Sequence, residues 1–163
     1  MIFSFIRKFR KPVITAVTVS SIAIATPFIA KWEGKSNKAY KDIVGVNTIC
    51  YGSTTGVKIG DYKTDQECLD LLSDEVSVFA NGVKSMIKVP VSPKTEAAFI
   101  SLSYNIGLGA FKNSTLLKKL NSGDYVGACD EILRWNRAGG RIVQGLVNRR
   151  AEEHKLCMDG LND

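Results

Sequence analysis

A small β-hairpin lobe beside a larger group of helices is the architecture this sequence predicts, and three observations carry it. Residues 43–59 alternate β-branched side chains with Gly, Asn, Ser and Thr, and Gly45, Gly52, Gly56 and Gly60 punctuate the turns. That region is too short for a sheet core of its own. Thr64-Asp65-Gln66-Glu67 then forms a capping box, and Cys68, Leu71, Leu72, Val76, Phe79, Val83 and Met86 follow at helical spacing. Beyond Pro93 the apolar runs are helical, separated by Gly and Pro breaks.

At 163 residues the chain is one domain with at most a short appendage. A composition 45% hydrophobic and 23% charged is that of a folded protein. The formal net charge of +6 invites a nucleic-acid reading, so its location matters. Arg7, Lys8, Arg10, Lys11 and Lys31 all precede Glu33 with no acidic residue among them, which leaves the rest of the chain close to neutral. A nucleic-acid-binding domain carries its charge on the fold itself, so no such partner is expected.

Taken in order, the chain begins with the cluster Arg7, Lys8, Arg10, Lys11 and a charge-free run over residues 13–30. As a helix that run spans about 27 Å, just short of a hydrocarbon core. It has no Leu, and Thr15, Thr18, Ser20, Ser21 and Thr26 dilute it, so it is a weak membrane span. The flanking cations place Met1 in the cytoplasm and the remainder outside. One reading is a secretory signal cut after Ala23-Ile24-Ala25, leaving Thr26-Pro27 to start a helix. A permanent anchor and a plain core helix are the others that the residues themselves allow.

The chemistry is concentrated in residues 31–52, KWEGKSNKAYKDIVGVNTICYG. Glu33 closes a helical pattern, Asp42 lies in a turn and Thr48 on a strand. A carboxylic acid, a second carboxylate and a hydroxyl so placed suit the cutting of a glycosidic bond. One carboxyl protonates the leaving oxygen, and the other groups position a water on the opposite face of the sugar. Thr48 and Tyr51 are expected to face the cleft.

The long helix after the capping box is structural throughout, with no chemistry assigned to it. Val89-Pro90-Val91-Ser92-Pro93 breaks the chain and caps a helix over residues 93–105, which Gly107 and Gly109 end. Near its end Asn105 is placed to bond either sugar or local backbone, with backbone preferred. Short capped helices follow over 114–121 and 124–136, with Leu116, Leu117, Leu120, Ile132 and Trp135 as core. Ala138-Gly139-Gly140 is a turn, and residues 142–156 form a closing helix.

The spacing Glu33-x8-Asp42-x5-Thr48, with Trp32-Glu33-Gly34 before it and Thr48-Ile49-x-Tyr51-Gly52 after, resembles the phage-type lysozymes. The resemblance returns in SLSYNIGLGAFKNSTLLKKLN (residues 101–121) and RWNRAGGRIVQGLVNRR (134–150). It implies an α+β fold, with a small hairpin lobe and a helical lobe joined by the long helix and enclosing a cleft. The N-terminal run is similar to the uncleaved signal-arrest-release segments of some phage endolysins, which insert as an anchor and later leave the bilayer. The expected division is then a basic N-terminus and membrane segment over 1–30 and a lysozyme catalytic domain over 31–163.

The resemblance makes Glu33 the general acid, with Asp42 and Thr48 orienting water, and Tyr51 and Asn105 beside the substrate. An arginine after the Arg-Trp block should lie near the acid. Arg141 is the chosen match, with Arg149 and Arg150 as alternatives. Ser53 stands where the family usually has a supportive histidine. The lone His154 is far away in the chain and too few for a typical zinc site, so no metal or cofactor is expected. Cys50, Cys68, Cys129 and Cys157 allow three pairings in an exported protein, of which Cys50–Cys68 with Cys129–Cys157 is favoured. None lies in residues 13–30. That argues against a thiol-exchange switch and for displacement of Glu33, which sits three residues after the segment.

The expected protein is therefore a monomeric endolysin cutting the β-1,4 bond between N-acetylmuramic acid and N-acetylglucosamine in peptidoglycan. It is held inactive in the host inner membrane through residues 13–30 and then released to the periplasm. The alternatives are a lytic transglycosylase and a membrane-anchored peptidoglycan-binding protein without catalysis. Asp42 and Thr48 together argue against the first, and the intact triad of Glu33, Asp42 and Thr48 against the second.

Overall fold

The computed structural model describes residues 16–163, with side chains from Ser20 onward; the basic cluster and the first part of the 13–30 run lie outside the described residues. Helix α1 spans Ala16–Trp32 and packs against two later helices. Ser21, Ala25 and Ile29 share one face at spacings of four and are fully buried. The Ser21 hydroxyl donates to Glu96 Oε2, so a polar residue of the weak span finds its partner inside the protein. Pro27 lies within α1 instead of opening a helix, with its ring on the exposed side. Among the described residues, no helix is long and apolar enough to cross a membrane.

The hairpin starts earlier than the sequence pattern suggests. Strand β1 is Ser36–Lys41 and pairs antiparallel with β2, Asn47–Cys50, bringing Tyr40 opposite Thr48 and Lys41 opposite Asn47. SNKAYK lacks the β-branched alternation that marks a strand; pairing with β2 and a bridge from Lys38 to Tyr62 make it one. Residues 43–46 are therefore the turn, and most of 51–62 is loop. Cys50 adopts a left-handed conformation, φ 59°, that favours Gly. A disulfide to Cys68 at the start of the next helix holds it there.

Helix α2, Asp65–Met86, opens with the expected capping box: the Thr64 hydroxyl accepts from the Glu67 amide, and the Glu67 carboxylate accepts from the Thr64 amide. It leads into α3, Pro93–Ile106, capped by Ser92, whose residues 95–103 are all buried. Gly107, at φ 90°, ends α3 and starts α4, Leu108–Lys112, a short helix that puts Phe111 against Phe99. Helices α5 (Thr115–Asn121) and α6 (Tyr125–Glu131) follow with caps from Ser114 and Asp124, and a 3-10 turn covers Ile132–Arg134. Strands β3 (Arg137–Ala138) and β4 (Arg141–Ile142) make the Gly139-Gly140 hairpin. Helix α7, Gln144–Gly160, closes the lobe and runs past residue 156. A second disulfide, Cys129–Cys157, fastens it to α6.

Two apolar clusters result. The main core lies between α1, α2, α3 and the helices that follow, around Leu72, Val76, Phe99, Ile100, Leu102, Phe111 and Leu116. A minor one in the small lobe holds only Ile49, Cys50 and Cys68 fully inside. Tyr51 packs on both and so joins the lobes.

Candidate active site

Glu33 follows the last turn of α1, where its amide still donates to the Ile29 carbonyl at 3.2 Å. Its side chain is 27% exposed, and Oε1 accepts a hydrogen bond from Arg149 Nη1 at 2.9 Å. The arginine beside the proposed acid is thus Arg149, the sixth residue of α7. Arg141 lies on exposed β4, where the short hairpin turns it away from the core. Helical spacing explains the difference: α7 packs along α3, and its buried face carries Arg149, Arg150 and Glu153.

That face is an unusual assembly of charge. Glu153 is fully buried, and its Oε1 accepts from Arg149 Nε and Arg150 Nη2, each at 3.2 Å, and from the Ser101 hydroxyl at 2.7 Å. Arg150 Nε is in ion-pair contact with Glu153 Oε2 at 2.8 Å without the alignment of a hydrogen bond. Burial pushes the Glu153 carboxyl toward its protonated form, against the pull of Arg150, Ser101 and Arg149. Burial likewise lowers the Arg150 guanidinium's affinity for its proton.

Asp42 is set by its own turn. Its Oδ1 accepts from the amides of Val44 (2.9 Å) and Val46 (2.8 Å), while its amide donates to the Val46 carbonyl. This Asx-type arrangement fixes the carboxylate, and among the described residues Oδ2 takes no hydrogen bond. Thr48, 4% exposed on β2, donates its hydroxyl to the Val46 carbonyl at 3.1 Å. Asp42 and Thr48 are therefore tied to one turn. Asn105 is exposed in the last turn of α3, with no hydrogen bond from its side chain among the described residues, so it does not serve local backbone.

Between the lobes stands an acidic residue of the long helix, to which the sequence alone assigns no chemistry. Glu75 of α2 accepts from the Ser53 hydroxyl at 2.6 Å and from the Tyr104 phenol at 3.0 Å. Ser53, in the place of the usual histidine, thus reaches an acidic partner. Burial, and then Glu75, drive the Tyr104 phenol well above its ordinary pKa, with Glu33 adding to the rise and Arg149 opposing it. The Tyr104 hydroxyl accordingly lies in the field of the Glu33–Arg149 pair. The acidic residue at 75, four from both Leu71 and Phe79, was the available signal. For Glu153 it was the Arg-Arg-x-x-Glu spacing. His154 pairs with Asp130 at 2.8 Å on the surface, and among the described residues no cluster could hold a metal ion.

The helical lobe thus carries Glu33 and the small hairpin lobe carries Asp42. The chain belongs to the phage lysozyme family, whose family model matches residues 30–153. It is 41% identical over 158 residues to the SAR-endolysin of Enterobacteria phage P21, covering 93% of this chain and 96% of that protein. Among solved structures it is similar to a P22 lysozyme variant, with a TM-score of 0.76, 32% identity, and coverage of 83% of this chain and 96% of that one. It is also similar to an endolysin from Escherichia coli O157:H7 phage FAHEc1, with a TM-score of 0.74, 31% identity, and coverage of 90% and 93%.

Proposed function

We propose that this lysozyme acts as an endolysin on the β-1,4 bond between N-acetylmuramic acid and N-acetylglucosamine, and that Glu33 is its general acid. Asp42, with Oδ1 already occupied by two backbone amides, has Oδ2 left to take a proton from water. Thr48 is the second group at that water, and Tyr51 and Asn105 border the glycan. The acid gives its proton to the leaving oxygen as the sugar develops oxocarbenium character, and the water adds from the opposite face.

One observation carries the regulatory part of the reading. The acid sits at the end of the same helix that contains most of the 13–30 run, and in this conformation that helix fills the main core through Ala25 and Ile29. The segment cannot occupy a bilayer and this core at once. Residues 1–30 are read as a signal-arrest-release segment and 31–163 as the catalytic domain, with the N-terminus cytoplasmic and the catalytic domain periplasmic until release. While the segment is in the membrane, Glu33 is held out of register with Asp42 and Thr48. That relatives about 40% identical over nearly the whole chain are SAR-endolysins supports this.

Glu33→Gln should fold normally and fail to clear purified cell walls; clearance at the native rate would remove Glu33 from its role. For the switch, the protein's mass is measured in membrane and periplasmic fractions before and after collapse of the membrane potential. Full-length soluble protein appearing only after collapse supports release. A species beginning near Thr26 and present throughout would mean a cleaved signal instead.

A further inference from the structure

We infer that Glu153 is a positioning residue for the reaction: it holds Arg149 by Nε so that Nη1 reaches Glu33 and presents that carboxyl in a single orientation. The inference rests on the reading of Glu33 as the acid.

An arginine side chain is long, and free in solution it samples many rotamers. Here Arg149 is almost wholly enclosed, and two fixed contacts define it: Nε on Glu153 Oε1 and Nη1 on Glu33 Oε1. Removing the first would leave Glu33, itself part-exposed, as the only carboxylate restraining the guanidinium. Glu153 in turn is held from two elements. Arg149 and Arg150 reach it along α7, and Ser101 reaches it from α3, the central helix. The Arg150 guanidinium is fixed at its far end by a bond from Nη1 to the Trp135 carbonyl at 3.4 Å. The chain of contacts thus runs from the rigid core to the reacting carboxyl.

The charge count gives the arrangement a second consequence. Two guanidinium groups, Arg149 and Arg150, meet two carboxylates, Glu153 and Glu33, so the cluster is neutral only when both carboxylates are ionised. A general acid must arrive protonated, and every negative charge nearby helps it to keep its proton. On α1, Lys31 is occupied by Glu152 of α7. On α3, Tyr104 lies in the field of Glu33 and is bonded to Glu75 of α2. Asp42 is the small lobe's carboxylate. Within this set Glu153 is the group that shares Arg149 directly with the acid. Its loss would leave the full pull of Arg149 on Glu33, favour the ionised acid and move the loss of activity to lower pH.

The test is the pH profile of kcat and kcat/KM for the full-length, disulfide-bonded protein on isolated peptidoglycan. For Glu153→Gln the alkaline limb should move down by roughly half a pH unit or more, with kcat at neutral pH reduced about tenfold and KM within about twofold. Arg149→Gln should move the same limb upward. A folded Glu153→Gln enzyme with an unmoved limb and unchanged kcat would overturn the inference. Should that variant fail to fold, Ser101→Ala keeps all charges and removes one bond to Glu153. It should give a smaller downward shift, and an unmoved limb there would overturn the inference equally. Glu33→Gln separates the two levels. Activity in that variant defeats the reading of the acid, whereas an inactive Glu33→Gln beside an unmoved Glu153→Gln profile defeats only the role of Glu153.

Discussion

The small lobe carries Asp42 and the helical lobe carries Glu33, the two carboxyls of the proposed site, and they hold them by different physics. The helical lobe has a deep apolar core, and its acid is reached through a buried charge cluster on α7. The small lobe has three fully buried side chains, two of them the halves of one disulfide. Its carboxylate is set by two turn amides, and its contact with the other lobe runs through Tyr51 and the Ser53–Glu75–Tyr104 bonds. A domain with little core surface is stabilised mainly by covalent and polar ties. The difference teaches that damage to the small lobe should appear first as lost activity, and damage to the helical lobe first as lost stability.

The largest expected effect that sharpens this contrast is Asp42→Asn. The amide oxygen can still accept from Val44 and Val46, so the turn persists while the proposed base is gone. Activity should fall by about two to three orders of magnitude with the melting temperature nearly unchanged, as wall-clearing rates and calorimetry would measure. Next is Cys50→Ser with Cys68→Ser. A loop of this length is worth about 3 kcal/mol in the chain-entropy view, and here it also restrains Cys50 in a left-handed conformation that costs a non-Gly residue about 1–2 kcal/mol. Hydrogen exchange should rise in β1 and β2 while α3 stays protected, and activity should fall about tenfold. Equal loss of protection in both lobes would break the comparison. Smallest is Ser53→Ala, which removes one bond to Glu75. It should cost about 1 kcal/mol and a few-fold in activity, read in a melt and a rate assay.

Much of this was legible in the residues. The Thr64 capping box, the stripe of α2 and the Ser92-Pro93 start of α3 are local signals, and local physics decides them. The catalytic spacing is legible through resemblance, and the favoured cysteine pairing through keeping each bridge within one neighbourhood of the expected fold. What escaped was tertiary. Strand β1 has no strand pattern of its own and exists through its partners. Arg141 and Arg149 look alike in sequence; only the packing of α7 on α3 decides which of them meets Glu33. Glu75 and Glu153 read as part of helical faces because a buried charge declares itself only when its partners, Ser53, Tyr104, Arg149 and Ser101, arrive from elsewhere in the chain. The 13–30 run is ambiguous for a plain reason: a charge-free stretch suits a bilayer and a protein core alike.

The central claim is that Glu33 protonates the leaving oxygen while Asp42 activates a water on the opposite face, one carboxyl from each lobe. The most direct test is the chemistry of the new ends after exhaustive digestion of peptidoglycan. Reducing N-acetylmuramic acid carrying one atom of isotopic oxygen from labelled water is the result this account predicts. A 1,6-anhydro sugar without label would contradict it, because the leaving bond would then have been replaced from within the sugar and Asp42 would have no water to activate.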